Sequence, residues 1–190
     1  SDMSDIATIA SMNILGEIAQ RTARYETTVI VPNADPIVYT VAREVVKGAY
    51  TKAGRPDLFN PDHVYFVTSN QFGYAAAIDG IMTREKPATN FFVGGFAAEA
   101  LILAETGAAT GAIQIAGTDY LLQLPFFVCS CDYTLIGEEL YAASAYLSRE
   151  PLLLGALKGQ DICKAILIVL LVMFTLIGII SNLPIPNLFR

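Results

Sequence analysis

From Ala165 to Ile180 the chain reads AILIVLLVMFTLIGII, without a charge or a proline. A run like this can be covered in few ways. About twenty such residues, each rising 1.5 Å, cross a bilayer core of roughly 30 Å. Lys164 closes the run on one side. On the other no charge returns until Arg190, although Ser181, Asn182 and two prolines soften it. The pattern predicts a single-pass membrane protein with a globular domain over residues 1–160 and a transmembrane helix and short tail over 161–190. The lipid contact is expected through residues 165–183, and its strongly apolar part is at the short end for spanning.

The globular part is long enough for one domain with a full core. Its apolar content is high as well: Phe91 to Ala116 holds only two charges, Glu99 and Glu105. Such a domain is rich in buried elements or keeps apolar surface for an assembly. The net charge of -6 repels phosphate backbones, which argues against nucleic acid as a partner, and no lysine-rich run suggests docking on anionic lipid. Trp is absent, so no Trp marks a membrane interface. The opening Ser1-Asp2-Met3 reads as a scar or cut point, since no basic stretch leads into an apolar one as in a signal peptide.

Along the chain, apolar β-rich runs alternate with helical patterns. Residues 5–24 place Ile6, Ile9, Ala10, Ile14 and Ile18 on one helical stripe. Thr27 to Val31 reads as a strand. Asp35 then reads as an N-cap, with Pro36 at the first helical position. Ile37, Val38, Val41, Ala42, Val45, Val46 and Ala49 form an apolar face opposite Arg43, Glu44 and Lys47, and Gly54 ends that helix. Further strands are expected at 63–68, 90–93, 112–116 and 126–131, and further helices at 72–84, 96–106 and 135–147. Alternation of this kind indicates a parallel sheet covered on both faces. The expected fold is a doubly wound, mostly parallel, Rossmann-like α/β domain followed by a C-terminal transmembrane helix.

In open α/β sheets, ligands bind beyond the C-terminal ends of the strands. That rule nominates Asn33 and Asp35 after the first strand, and Ser69 and Asn70 after the second. It nominates Gly94 and Gly95 after the third, Thr118 and Asp119 after the fourth, and Asp132 after the fifth. The same residue types are what βα turns and N-caps require without any ligand. Gly94-Gly95, opening a helix, could present backbone N–H groups to an anion, but neither GxGxxG nor GxxxxGK[ST] is present. Glu99 in an apolar helix is a candidate for a raised pKa or for a dipole partner. His63, the only histidine, falls at a strand entrance, the wrong edge for a catalytic device. No cofactor is implied and no metal site, since one His and three scattered Cys do not make a zinc set. An odd number of cysteines gives no disulfide framework. In a strand, Cys129 and Cys131 would share one face roughly 6.5–7 Å apart, too far for an unstrained bridge. Free thiols suit a reducing compartment.

The stretches Ile30 to Pro36 (IVPNADP), Asp79 to Pro87 (DGIMTREKP), Glu99 to Gly107 (EALILAETG), Gly111 to Asp119 (GAIQIAGTD) and Gln123 to Asp161, with its CDYTLIGEELYAASAYLSREP core, resemble an uncharacterised prokaryotic membrane protein family, a domain of unknown function. The resemblance covers about residues 5–180 and carries no activity or catalytic residue to transfer. It implies longer members, with further sheet and membrane segments at the N-terminus.

Two functions remain. The first is a non-enzymatic, membrane-anchored assembly or scaffold component, self-associating or joining a membrane complex. The second is a small-molecule or nucleotide-binding domain, or an enzyme, using the strand-end residues. Arg149, Lys158 and Lys164 precede the apolar run and Arg190 follows it, so the positive-inside rule places the domain in the cytoplasm.

Overall fold

The computed structural model describes residues 5–180. Residues 181–183 of the expected lipid-contacting segment, Arg190, and the opening Ser1-Asp2-Met3 lie outside the described residues. The chain divides into two compact units, Ser1–Ser148 and Arg149–Arg190.

The first unit is mixed α/β. Its elements run α1 (Ile6–Arg24), β1 (Val31–Asn33), α2 (Pro36–Lys52), β2 (Val64–Phe66), α3 (Gln71–Glu85), β3 (Thr89–Val93), α4 (Glu99–Thr110), β4 (Ile113–Thr118), α5 (Leu124–Ser130), β5 (Tyr133–Ile136) and α6 (Glu138–Ser148). Two short 3₁₀ turns, Pro56–Leu58 and Pro61–His63, precede β2. All pairings are parallel, but they form two sheets: β1-β2, and β3-β4-β5.

Pro32 accounts for where the first sheet stops. Successive residues of a strand direct their backbone groups to opposite sides. The Asn33 carbonyl accepts from Val67 N, on the β2 side. Pro32 therefore presents its backbone away from β2, where it has no N–H to offer a further strand. Its carbonyl is taken instead by the Tyr74 hydroxyl of α3, at 3.2 Å. Burial pushes the Tyr74 phenol up to about 12.

Helices cover both faces of β3-β4-β5. On one, Phe92 and Ala116 pack with Ile78, Met82, Ala100, Leu103, Ala104 and Phe127 from α3, α4 and α5. On the other, Val93 and Leu135 pack against Ala7, Ala10 and Ile14 of α1 and Leu140 of α6. A third cluster joins Ala19 and Ala23 of α1 to Ala42, Val46, Ala49 and Tyr50 of α2. The doubly wound expectation matches this layering. The α1 stripe holds only in part: Ala10 and Ile14 are buried and Ile18 packs beside them, but Ile6 and Ile9 are 66% and 47% exposed, while Ala7, Ala19 and Ala23, outside the expected set, are buried. Small residues face inward because α1 is packed against α2 and α6 at once.

Other boundaries shift for local reasons. Thr27 to Ile30 lie outside β1, which pairs with β2 only over Val31–Asn33. The expected fifth strand at 126–131 is the helix α5. Pro125 sits in its first turn, where a missing N–H costs nothing, and the fully buried Phe127 anchors it. Cys129 and Cys131 therefore do not share a strand face; Cys129 is exposed and Cys131 is partly buried. The actual β5 starts at Tyr133, and α6 follows from Glu138.

The second unit is described as one helix, α7 (Pro151–Ile180), 30 residues long and about 45 Å from end to end. It is long and apolar enough to cross a membrane. Its large apolar side chains from Ile166 to Ile179 are uncovered, from 44% exposed at Leu170 to 69% at Leu171. Thr175 returns its hydroxyl to the Leu171 carbonyl, which keeps a polar group internally satisfied.

Among the described glycines, Gly107 of α4 leaves the least room for a side chain. A Cβ there would stand 2.1 Å from Gln114 Oε1 and 3.2 Å from Asn90 Nδ2. Gln114 is buried and cannot swing away freely, because its Nε2 donates to the carbonyls of Ala104 (3.2 Å) and Ser130 (2.7 Å). Gly107→Ala should therefore destabilise the unit by about 1–3 kcal/mol despite the better helix propensity. Gly80→Ala, in α3 with nothing within 4 Å of the added Cβ, should stabilise by up to about 1 kcal/mol. Urea titration followed by tyrosine fluorescence checks both signs.

Candidate functional site

Parallel strands bring Asn33, Val93, Thr118 and Ile136 to one edge of their sheets. Most nominated residues do fall along strand ends, but many are committed to local structure. Asn33 is buried, and its Nδ2 donates to the carbonyls of Val31 (2.9 Å) and Tyr65 (3.4 Å), bracing β1 on β2. Asp35 is the α2 N-cap, its Oδ1 accepting from Ile37 N at 2.8 Å and Val38 N at 2.9 Å. Asn70 caps α3, accepting from Gly73 N at 2.8 Å. Ser69 lies exposed in the turn before it.

Asp132 is the exception in place. Because the segment before it is helical, Asp132 precedes β5 and lies at the strand-start edge. There its Oδ2 accepts from Gln114 N at 2.8 Å. Gly94-Gly95 also differs from expectation: α4 begins only at Glu99, so the glycines end β3 rather than open a helix. Gly94 has φ +122 and donates its N–H to the Gly117 carbonyl at 2.9 Å. Glu99 is paired rather than isolated, accepting from Gln71 Nε2 at 2.5 Å. His63 stands before β2, its Nε2 3.2 Å from Asn60 Nδ2.

The side chains that do converge lie at the ends of β3, β4 and β5. The Tyr141 hydroxyl of α6 donates to Asp119 Oδ2 at 2.5 Å. The other carboxylate oxygen, Oδ1, is buried without a partner. Tyr120 donates its hydroxyl to Asp5 Oδ2 at 3.3 Å, while Asp5 Oδ1 accepts from Ala7 N and caps α1. The buried Thr118 accepts from Tyr120 N at 3.2 Å and sets the turn. Gly95 leaves room for this arrangement, since a Cβ there would meet Asp5 Oδ2 at 2.8 Å and Tyr120 Cε2 at 3.0 Å. Three elements are thereby tied at one corner: the start of α1, the end of β4, and α6.

Beside these ties the chain turns outward through Leu121 and Leu122, 78% and 82% exposed. Asp5, Asp119, Tyr120, Leu121 and Leu122 line an open depression of about 440 Å³. It is a shallow surface feature lined by both carboxylates and leucines. Such a surface suits docking of a protein surface better than enclosure of a small molecule, which needs a concave site. Asp5, Tyr120 and Tyr141 were not nominated from sequence. Asp5 had a signal, standing just before the first helical stripe in an N-cap position. Tyr141, on a helix far along the chain, had none.

Burial, and then the hydrogen bond to Asp119, raise the Tyr141 phenol well above its ordinary value. A proton held more tightly in the folded state stabilises it fully below the unfolded tyrosine value of about 10, and that contribution is lost as pH climbs beyond. The unit should therefore lose stability above about pH 10, and Tyr141→Phe should flatten that loss. Chemical denaturation across an alkaline pH series reads the slope. A Tyr141→Phe slope equal to the parent's would rule out this assignment.

Comparison with known proteins identifies one family. The chain belongs to the family described as a domain of unknown function (DUF6754), whose model matches residues 1–189. No curated protein and no solved structure matches the chain.

Proposed function

We propose that this member of the DUF6754 family is a non-enzymatic, membrane-anchored assembly module whose α/β unit associates with further copies of itself. The observation that carries the reading is the knuckle formed by Leu121 and Leu122, on a turn fixed by Thr118 and by the Tyr120–Asp5 bond. Ile6, next to Asp5, adds a third apolar side chain at 66% exposure. Exposed apolar side chains on an ordered corner support an interface. The carboxylates of Asp5 and Asp119 rim it, so anionic partners are disfavoured. The uncovered helix α7 supports the anchor, with lipid as its partner. Arg149, Lys158 and Lys164 precede its apolar run, which favours the α/β unit on the cytoplasmic side of the cell membrane.

The small-molecule reading has less support. Asp35, Asn70 and Asn33 direct their polar atoms at their own backbone, leaving fewer groups to orient a ligand.

The test is the mass of the detergent-solubilised chain by light scattering, with detergent subtracted. The parent should exceed one chain and Leu121→Glu should reduce it to one, because a buried carboxylate without a partner is strongly disfavoured. Association should also strengthen with salt, which screens the facing acidic rims. A parent that is monomeric throughout, or a Leu121→Glu chain that keeps the parent's mass, would remove the knuckle as an interface.

A further inference from the structure

The α/β unit is electrically polar along its strands. Arg21 and Arg24 lie in the last turn of α1, Lys52 in that of α2, and Arg84 in that of α3, with Lys86 just beyond. Helices run back antiparallel to the strands they connect, so these cations stand at the edge where the strands begin. Acids share that edge. Arg55 binds Glu26 at 2.6 Å and Asp57 at 3.4 Å, and Arg84 binds Glu85 at 3.2 Å. Asp62 and Asp132 are there too, while Arg21, Arg24, Lys52 and Lys86 have no ion-pair partner among the described residues. The strand-end edge holds Asp5, Asp35, Glu99, Asp119, Glu138 and Glu139, and among the described residues no lysine or arginine falls in the first turn of α1, α2, α3, α4 or α6.

The strand-start edge is apolar as well as cationic. Phe91, Ile115 and Tyr133 are direct cross-strand neighbours on β3, β4 and β5. Ile113 lies on the same face one pleat earlier. This is the face that α1 and α6 cover at Val93 and Leu135. Nearer the strand starts the cover ends: Phe91, Ile113 and Tyr133 are 45%, 52% and 67% exposed. From this same edge the chain leaves the unit. α6 begins at the end of β5 and returns to Ser148, and only Arg149 and Glu150 separate it from α7.

We propose that the strand-start edge, with Phe91, Ile113 and Tyr133 flanked by Arg21, Arg24 and Lys86, is a second membrane contact that docks on an anionic lipid surface. It rests on the reading of α7 as an anchor. The chain leaves the unit at Ser148, on this edge, and two residues separate it from α7. The charge polarity then selects it, since an anionic surface attracts its free cations and repels the opposite edge. Aromatic side chains at that level suit the headgroup region.

The chain contains no Trp, so Tyr133→Trp gives a single-site reporter, and Leu121→Trp gives its counterpart at the other edge. Each full-length variant is reconstituted into phosphatidylcholine vesicles, with or without phosphatidylglycerol, and quenched with headgroup nitroxide lipid. The Tyr133→Trp emission should be quenched when phosphatidylglycerol is present and released at about 1 M salt, where the Debye length is about 3 Å. The Leu121→Trp emission should stay unquenched. Adding Arg21→Gln and Arg24→Gln, with the fold checked by circular dichroism, should weaken docking about 30-fold. Equal quenching at both edges, or none at Tyr133→Trp in vesicles that carry the chain on flotation, overturns the proposal while leaving the anchor intact. So does an emission shift that follows protein-to-lipid ratio without lipid quenching, which would mean a second copy covers the patch. A chain that fails to float overturns the anchor reading and this one with it.

Discussion

The close approach of elements through small residues governs the rest of the structure. Ala7, Ala10, Ala19, Ala23, Ala42, Ala100, Ala104, Ala116 and Ala145 are all buried. The same holds at glycines: a Cβ on Gly117 would meet Leu140 at 3.1 Å, and one on Gly107 would overlap Gln114. Core density is fixed by close packing. A core filled with backbone and methyl groups therefore has less room for large side chains, and some of those are displaced outward. Ile6, Ile9, Phe91, Leu101 and Ile113 are exposed on elements whose small neighbours are buried. The chain is apolar throughout, yet its α/β unit keeps substantial apolar surface.

The same packing explains which parts of the fold could be read ahead of the structure. The α2 helix was legible because its signals were local and agreed. Asp35 caps it, Pro36 starts it, and Val38, Ala42, Val46 and Ala49 bury one face. The α/β alternation was legible for the same reason. In α1 the isoleucine stripe was half right: Ile14 is buried but Ile6 and Ile9 are exposed, because periodicity weighs large apolar residues whereas this interface also selects small ones. In α5 the run FFVCSC has strand composition, and tertiary context overrode it: one fully buried Phe127 and a proline in the first turn suffice for a short helix. That one change moved Asp132 from the strand-end edge to the opposite edge. Misplacing a single element thus relocates a candidate residue across the whole sheet.

The site was half legible for a related reason. The strand-end rule supplied Thr118, Asp119, Gly94 and Gly95, each of which is at the corner where α1, β4 and α6 meet. It could not supply Asp5 or Tyr141, because their partners are 115 and 22 residues away. Nor could composition distinguish Asn33, Asp35 and Asn70, whose polar atoms brace and cap, from residues with groups to offer. Only the hydrogen-bond partners separate them.

Charge completes the argument. Acids at helix starts and bases at helix ends are what the helix dipole favours in any α/β protein, so the polarity of this unit needs no function to arise. What gives it consequence is the exit of the chain. Because α6 returns to the strand-start edge, the chain leaves the unit at the cationic, apolar edge and not at the acidic one. Had the unit ended on a strand, the chain would have left it among the carboxylates. An ordinary helix-capping pattern, combined with the return of the chain, thus sets which charges lie beside the exit.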